Sequence, residues 1–315
     1  MNLSFKASAH REGATHFLQV EEPFHFLSGG EIPAATLAFE TWGELNAARS
    51  NAVLILTGLS PNAHAASSAE DPTDGWWEPM VGPGKGIDTE RHFVICVNSL
   101  GSCQGSTGPG CVNPVTGTPY RLSFPDLVIG DIARAARMVL EYLGIEQLRA
   151  LVGPSMGGMS CLALLQQRPG SARHFLGIST AARAEPFAIA IRSLQREMIV
   201  RDPRWRDGAY TNEDWPETGM RLARKLGMIS YRSGEEWRER FGRSQEVHFS
   251  ERLFGMHFSV ESYLEYAARK FIHNFDPCCY LFLSQAIDWF DLSDGYADMR
   301  DAFADLKIEA AKVIG

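Results

Sequence analysis

The sequence has little of what marks nucleic-acid-binding, membrane-spanning and secreted proteins. Its 315 residues carry a net charge of -8, so no basic surplus favours nucleic acid or an anionic membrane surface. No apolar run approaches the length of a membrane span. Residues 1–10 lack both the long apolar core and the small-residue cleavage site of a secretory signal. These absences give no support to nucleic acid or a membrane as a partner, and a cytoplasmic protein is expected.

Cysteine is scarce and forms no C-x-x-C pair. The six cysteines are Cys96, Cys103, Cys111, Cys161, Cys278 and Cys279. Cys96 and Cys161 lie in apolar segments, where a thiol packs as a small hydrophobic group. This usage is typical of a reducing compartment. No His/Cys cluster has metal-ligand spacing, and we expect neither a metal nor a permanently bound cofactor.

Strand and helix patterns alternate through residues 1–182. Continuous apolar runs at 51–57 and 92–98 predict buried parallel strands. An apolar stripe with helical spacing over 131–143 predicts a helix that ends before Gly144. The order of strands and helices indicates an α/β fold, a mostly parallel sheet covered by helices on both faces.

The pattern changes after this first region. Residues 183–292 show helical segments separated by polar loops and predict a helical lid inserted over the sheet edge. Residues 293–315 predict a return to the core, with a last strand at 307–315. The expected domains are therefore a core over 1–182, a lid over 183–292 and a return to the core over 293–315.

The segment Gly153-Pro154-Ser155-Met156-Gly157 has the spacing G-x-S-x-G. It follows a short apolar strand at 150–152 and precedes a helix predicted over 159–167. In a nucleophile elbow, this spacing places a serine on a tight strand-to-helix turn, next to the positive end of the helix dipole. Ser155 is thus a candidate nucleophile. The alternative is a glycine-rich turn in which the serine is incidental.

Further segments accompany the elbow in a fixed order. They are Glu40-Thr41-Trp42-Gly43, Asn51 to Ala66, Gly75-Trp76-Trp77 with Gly82-Pro83-Gly84-Lys85, Asn98 to Pro109, Gly153 to Met159, Phe258 to Tyr263 and Phe271 to Asp291. Together they resemble the homoserine/serine O-acyltransferase family of the α/β-hydrolase fold. The resemblance implies ping-pong acyl transfer through an acyl-enzyme on Ser155.

Five segments bear on the substrates that the resemblance implies. Residues 57–66, 119–122, 192–197, 219–226 and 231–233 are most similar to the serine O-succinyltransferase branch of the family. That branch implies transfer of a succinyl group from succinyl-CoA to L-serine, which feeds cysteine biosynthesis. Homoserine O-succinyl- or O-acetyltransfer, which feeds methionine biosynthesis, is a close alternative. A carboxylester hydrolase and an inactive binding module on the same fold stay open as alternatives of another class.

The resemblance also assigns roles to the catalytic groups. The backbone N–H groups of Leu59 and Met156 match the two donors of an oxyanion hole. Ser60, Pro61, Asn62 and Ala63 follow Leu59 and are candidates for setting the size of the acceptor; the alternative is an ordinary turn.

Arg196 matches the family's substrate-binding arginine and is expected to hold the acceptor's carboxylate. We assign Arg192, one helical turn away, to the second carboxylate of the succinyl group. The alternative is that both arginines are solvated and pair with Glu185 or Glu197. Tyr231 is a candidate wall of the acceptor pocket, and the family likeness implies a homodimer through the lid helices.

The general base breaks the family pattern. In the family an aspartate follows the strand that resembles 307–314, and a histidine lies in a later Gly-His-Asp segment, whereas this sequence stops at Gly315. The histidines after Ser155, which are His174, His248, His257 and His273, have no family-like context for a base. We expect a C-terminally incomplete copy; a degenerate homologue or a base from the lid are the alternatives.

Residues 1–315 alone are therefore expected to be inactive or nearly so, because a serine nucleophile needs a base to accept its proton. An assay of this chain with succinyl-CoA and L-serine measures its activity, and sustained product formation would contradict the expectation.

Overall fold

The computed structural model describes residues 5–245 and 254–315, in which a large sheet forms the centre of the fold. The strands are β1 Ala7–Glu12, β2 Thr15–Val20, β3 Phe24–His25, β4 Glu31–Ile32, β5 Ala35–Trp42, β6 Ala52–Leu56, β7 Val81–Gly82, β8 Ile87–Asp88, β9 Phe93–Val97, β10 Leu148–Pro154, β11 Ala172–Ile178 and β12 Ala310–Ile314. The helices are α1 Ile129–Tyr142, α2 Met156–Gln167, α3 Pro186–Val200, α4 Glu217–Ser230, α5 Gly234–Phe241, α6 Ser259–Arg269, α7 Pro277–Asp288 and α8 Met299–Asp305.

The large sheet contains eight strands in the order β1-β2-β5-β9-β6-β10-β11-β12. The five strands from β9 to β12 in this order run parallel, whereas β1, β2 and β5 pair antiparallel. Every residue of β6 is buried, as expected of a central strand covered on both faces. The α/β class predicted from the sequence is confirmed.

Some local elements differ from the sequence prediction. The elbow helix begins at Met156 rather than 159, because Gly157 and Gly158 are helical and their lack of side chains lets the first turn pack on the sheet. Strand β1 and helix α8 were not predicted. Strand β1 is almost wholly exposed, so its sequence shows no alternation of apolar and polar residues.

The chain divides into two compact units. One comprises Met1–Ala184 and Cys278–Gly315, and the other comprises Glu185–Pro277. Residues 278–292, which the sequence analysis assigned to the lid, thus group with the core unit. The domain boundaries 1–182, 183–292 and 293–315 remain a prediction.

Helices α3 to α6 form the second unit. Helix α3 is joined to α4 by a buried hydrogen bond from Gln195 Nε2 to the Ala223 carbonyl, 2.8 Å long. The Glu265 carboxylate of α6 accepts hydrogen bonds from Arg221 and Arg269, and Lys225 contacts it as well. These partners keep the pKa of Glu265 at about 2 although burial alone would raise it.

A buried ion pair joins β5 to the loop that follows β6. Nδ1 of His64 lies 2.9 Å from the Glu40 carboxylate, and Nε2 lies 2.9 Å from the Thr73 carbonyl oxygen. Because both partners accept hydrogen bonds, both ring nitrogens donate, and the imidazolium form fits the site. Burial favours the neutral ring, but Glu40, the Thr73 carbonyl and the charge of Asp71 outweigh it and raise the pKa of His64.

Replacing this histidine should therefore change stability in a pH-dependent way. A group whose pKa is raised by folding stabilises the fold fully below its unfolded value, about 6.5, and loses this contribution as pH rises through its folded pKa. His64→Gln should lower the free energy of unfolding by about 3 kcal/mol at low pH, because it leaves Glu40 buried without its cation. The loss should shrink as pH rises.

Denaturant unfolding between about pH 6 and pH 9 measures this dependence. His10→Gln is the matched control, since the His10 side chain is half exposed beside Glu12 and should change stability little. A His64→Gln loss that is flat or grows with pH would contradict the assignment.

Candidate active site

Ser155 lies between β10 and α2 with a strained backbone. Its φ and ψ are 51° and -122°, in a region that non-glycine residues rarely adopt and that costs about 1–3 kcal/mol. Its backbone N–H donates to the Ile178 carbonyl over 2.9 Å. Its carbonyl accepts from Thr180 Oγ1 over 2.7 Å. These two hydrogen bonds hold an exposed serine in a strained backbone conformation, which is the local geometry of a nucleophile elbow.

The glycines of the elbow are required by close backbone contacts. A Cβ at Gly157 would lie 1.9 Å from the Leu56 carbonyl oxygen. A Cβ at Gly153 would lie 2.4 Å from the Gly157 backbone, and one at Gly158 would lie 2.5 Å from the Thr180 side chain. The first turn of α2 therefore packs directly on the end of β6, which is possible only without side chains at these positions.

The N-terminus of α2 supplies one side of an anion site. The helix begins at Met156, so the N–H groups of Met156 and Gly157 precede the first backbone hydrogen bond of the turn, which the Gly158 N–H donates to the Ser155 carbonyl over 3.0 Å. These groups and the helix dipole favour negative charge beside Ser155. The Met156 N–H therefore lies directly after the nucleophile at this helix end, and its role as an oxyanion donor remains a prediction.

Leu59 lies on the loop that leaves β6, the strand next to β10. Ile55 of β6 pairs with Val152 of β10, so Gly58 and Ser155 each lie three residues beyond this pair. Consistent with this, a Cβ at Gly58 would lie 3.7 Å from the Pro154 carbonyl oxygen. Leu59 therefore directly follows a residue that lies beside the elbow, as expected for the second oxyanion donor.

Residues 60–63 continue this loop. Ser60 and Pro61 are half-buried, Asn62 is exposed and Ala63 is buried. Asn62 Oδ1 accepts a hydrogen bond from the His64 N–H over 3.0 Å. The four residues lie in the loop that carries Leu59, and their role in acceptor size remains a prediction.

Arg192 and Arg196 lie one turn apart on α3 in the second unit. Both arginines are half-buried, and Gln195 and Ile199 form the buried face of the same helix. Glu197 lies within 3.7 Å of Arg201. Tyr231 is the C-cap residue of α4, and it is 70% exposed. The assignment of these residues to the substrate remains a prediction.

The strand after which the resemblance implies an aspartate ends at the same sheet edge as the elbow. The Ile314 carbonyl of β12 accepts a hydrogen bond from the Ser179 N–H, and Ser179 directly follows Ile178, the partner of Ser155. Among the described residues of the core unit, no side chain forms a hydrogen bond with the Ser155 hydroxyl. His174 is paired with Ala150, near the opposite end of β10, and His248 lies outside the described residues.

Two kinds of feature are absent from residues 5–245 and 254–315. No group of three or more His, Cys, Asp or Glu side chains is arranged to hold a metal ion there. No helix in that part of the chain is both long and apolar enough to cross a membrane. As predicted, Cys96 and Cys161 are buried, and burial raises the pKa of both thiols.

Three residues around the elbow were assigned no role from the sequence. Thr180 binds the Ser155 carbonyl, Asn98 binds the Pro61 carbonyl and Trp76 binds the Asn62 carbonyl. Each of these bonds joins residues at least 14 positions apart. Asn98 and Trp76 lie in segments that resemble the family, but the sequence assigned neither residue a role. Asn98 also ends an apolar strand, and buried strands of a parallel sheet end at the edge where sites form.

Comparison with known proteins agrees with this geometry. Residues 51–312 match the family model of the alpha/beta hydrolase fold. Over 305 residues the chain is 56% identical to the serine O-succinyltransferase of Stenotrophomonas maltophilia strain K279a, a match that covers 96% of this chain and 82% of that protein.

Two solved structures are also similar. The homoserine O-acetyltransferase from Bacillus anthracis is 26% identical, with a TM-score of 0.84 over 96% of this chain and 82% of that one. Esterase E22 is 28% identical, with a TM-score of 0.83 over 94% of this chain and 83% of that one. With its elbow at Ser155, the chain belongs to the α/β-hydrolase-fold family and, within it, to the family of the serine O-succinyltransferases.

Proposed function

We propose that this protein transfers a succinyl group from succinyl-CoA to the hydroxyl of L-serine. The observation that carries the proposal is the strained Ser155 elbow in a chain 56% identical to a serine O-succinyltransferase. The likeness to a homoserine O-acetyltransferase and to an esterase is at half that identity or less, so other acceptors and donors rank behind.

The chemistry proceeds in two acyl transfers. The Ser155 Oγ attacks the thioester carbonyl, its proton goes to a general base, and the C–S bond breaks to release coenzyme A. The hydroxyl of L-serine then attacks the acyl-enzyme, the bond to Ser155 Oγ breaks, and O-succinylserine leaves. No group besides the two substrates is consumed, and no bound cofactor is required.

Both steps develop negative charge on the carbonyl oxygen. The N–H groups of Met156 and Leu59 stabilise that charge, one from the helix start and the other from the loop after β6. A single donor of this kind contributes about 10²–10³-fold to kcat in hydrolases of known mechanism. Because the donors are backbone groups, the fold positions them before the substrate binds.

Arginines suit the carboxylates of both substrates, since a guanidinium binds a carboxylate through two parallel hydrogen bonds. Arg196 is assigned to the carboxylate of L-serine, and Arg192 to the free carboxylate of the succinyl group. Ser60 to Ala63 and Tyr231 are assigned to the acceptor pocket. A homoserine acceptor has one more methylene, so the size of this pocket decides between the two amino acids.

The proposal extends to the pathway, the compartment and the oligomeric state of the protein. O-succinylserine carries an activated hydroxyl, which suits replacement by sulfide, and the reaction then belongs to cysteine biosynthesis. We place it in the cytoplasm, where succinyl-CoA is available, and expect a homodimer through the lid helices.

The substrate assignment is tested by a matrix of acetyl-CoA or succinyl-CoA against L-serine, L-homoserine or water. On the full-length protein, succinyl-CoA with L-serine should give the highest kcat/KM. Intact-mass analysis should show a succinyl adduct that Ser155→Ala removes. Preference for L-homoserine would contradict the acceptor, and release of free succinate as the main product would favour an esterase.

Arg192→Ala should reduce kcat/KM for succinyl-CoA by about 10–100-fold, because it removes a charge-assisted hydrogen bond worth about 1.5–3 kcal/mol. Activity with acetyl-CoA should stay at its low level. Arg201→Ala is the matched control, since this arginine ends the same helix and its side chain is 80% exposed. Unchanged use of succinyl-CoA by Arg192→Ala would show that the assignment is wrong.

A further inference from the structure

The loop that carries Leu59 has no regular secondary structure. From Thr57 to Ala63 the backbone forms neither helix nor strand, so no ladder of backbone hydrogen bonds fixes its path. An oxyanion donor contributes only if it is aimed at the developing charge before the reaction starts. Something outside the loop must therefore hold it in position.

Asn98 provides the first support. It follows β9 directly, and its side chain is completely buried. Its Nδ2 donates to the Pro61 carbonyl oxygen over 3.1 Å, two residues past Leu59. Its Oδ1 accepts from the Ser106 N–H over 3.0 Å, so the amide orientation is fixed by a donor on one side and an acceptor on the other.

The backbone of Asn98 is equally constrained. Its N–H donates to the Ala38 carbonyl over 2.9 Å, and its carbonyl accepts from Ser106 Oγ over 2.7 Å. Ser106 Oγ in turn accepts from the Ala38 N–H over 3.0 Å. The amide that binds the loop is thus attached to β5 and to the long loop after β9, both independent of the elbow.

Trp76 provides the second support. Its indole Nε1 donates to the Asn62 carbonyl oxygen over 3.1 Å. The indole is stacked on Trp77, with ring centroids 5.2 Å apart. Two consecutive carbonyls of the loop, those of Pro61 and Asn62, are therefore bound by side chains from two separate segments.

We propose that Asn98, assisted by Trp76, is a positioning residue of the oxyanion hole. By binding the carbonyls of Pro61 and Asn62, the two side chains fix the loop so that the Leu59 N–H faces the carbonyl attacked by Ser155. The proposal rests on the proposed function insofar as that carbonyl is the thioester of an acyl-CoA. Neither side chain needs to touch the substrate, and both act through the loop.

The expected effect follows from the value of one oxyanion donor. Complete loss of a donor costs about 10²–10³-fold in kcat, and a displacement of about 1 Å costs up to about 10²-fold. Asn98→Asp keeps the size of the side chain and the acceptor for Ser106 but removes the N–H that binds Pro61. It should lower kcat by about 10–100-fold and leave KM for both substrates nearly unchanged.

Trp76→Phe removes only the N–H that binds Asn62 and keeps an aromatic ring against Trp77. It should lower kcat by about 3–10-fold, less than Asn98→Asp, because the Asn98 bond remains. This variant decides the question if Asn98→Asp fails to fold.

Two matched controls separate positioning from general loss of structure. Ser102→Ala removes the other hydrogen-bond partner of Asn98 Nδ2, a buried hydroxyl 3.3 Å away, and leaves the bond to Pro61 intact. Trp77→Phe alters the stacked neighbour of Trp76. Both controls should lower the melting temperature about as much as the test variants and keep kcat within about twofold of wild type.

A second measurement is independent of the acyl donor. A phosphonofluoridate that reacts with Ser155 places a phosphoryl oxygen in the oxyanion hole, so its second-order labelling rate should fall by the same factor as kcat in Asn98→Asp and Trp76→Phe. Test variants that fold and retain kcat and labelling within about twofold of their controls would overturn the proposal, as would equal losses in all four. Absence of O-succinylserine from the full-length wild type, with labelling still reduced in the full-length test variants, would refute the proposed function alone.

Discussion

The contact between the first turn of α2 and the end of β6 is the constraint on which the rest of the site depends. The Leu56 carbonyl approaches Gly157 so closely that no Cβ fits between them. Because the helix lies this near the sheet, the chain must reverse within one residue, and Ser155 takes a strained backbone conformation. Its hydroxyl is thereby exposed while its backbone remains bonded to the end of β11.

The same approach places two strand ends and a helix start within one small region. Parallel strands end at a common edge, so β6 brings its loop, β10 brings the nucleophile and β12 ends two strands away. In the proposed mechanism, the charge that develops there is met by backbone N–H groups rather than by side chains. Such donors are rigid only when the loop that carries them is rigid, which gives the buried polar groups around Asn98 their importance.

Buried charge supports this region at a second point. The Glu40–His64 pair connects β5 with the loop after β6, and Thr73 completes the partners of the imidazolium. A buried pair of this kind adds little net stability over apolar packing, but losing one partner costs several kcal/mol, about 3–5. The pair holds His64 two residues after Asn62, while Asn98 and Trp76 bind the carbonyls of Pro61 and Asn62.

The sequence by itself determined the elbow, the parallel strands and the family. Gly153, Ser155 and Gly157 are local, and each glycine is required by a backbone contact within the motif or with the strand beside it. The apolar runs at 51–57 and 92–98 marked the central strands because both of their faces are buried. Strand β1 carried no such pattern, since almost all of its residues are exposed.

Only the tertiary structure decided how the oxyanion loop is held. The bond from Asn98 to Pro61 spans 37 positions, and that from Trp76 to Asn62 spans 14. A side chain that binds a distant backbone carbonyl leaves no periodicity and no fixed spacing in the sequence, whereas a tight turn must use glycine wherever it occurs. The sequence therefore predicted the nucleophile, which a local turn encodes. The contacts that hold the loop of the proposed second oxyanion donor are visible only in the tertiary structure.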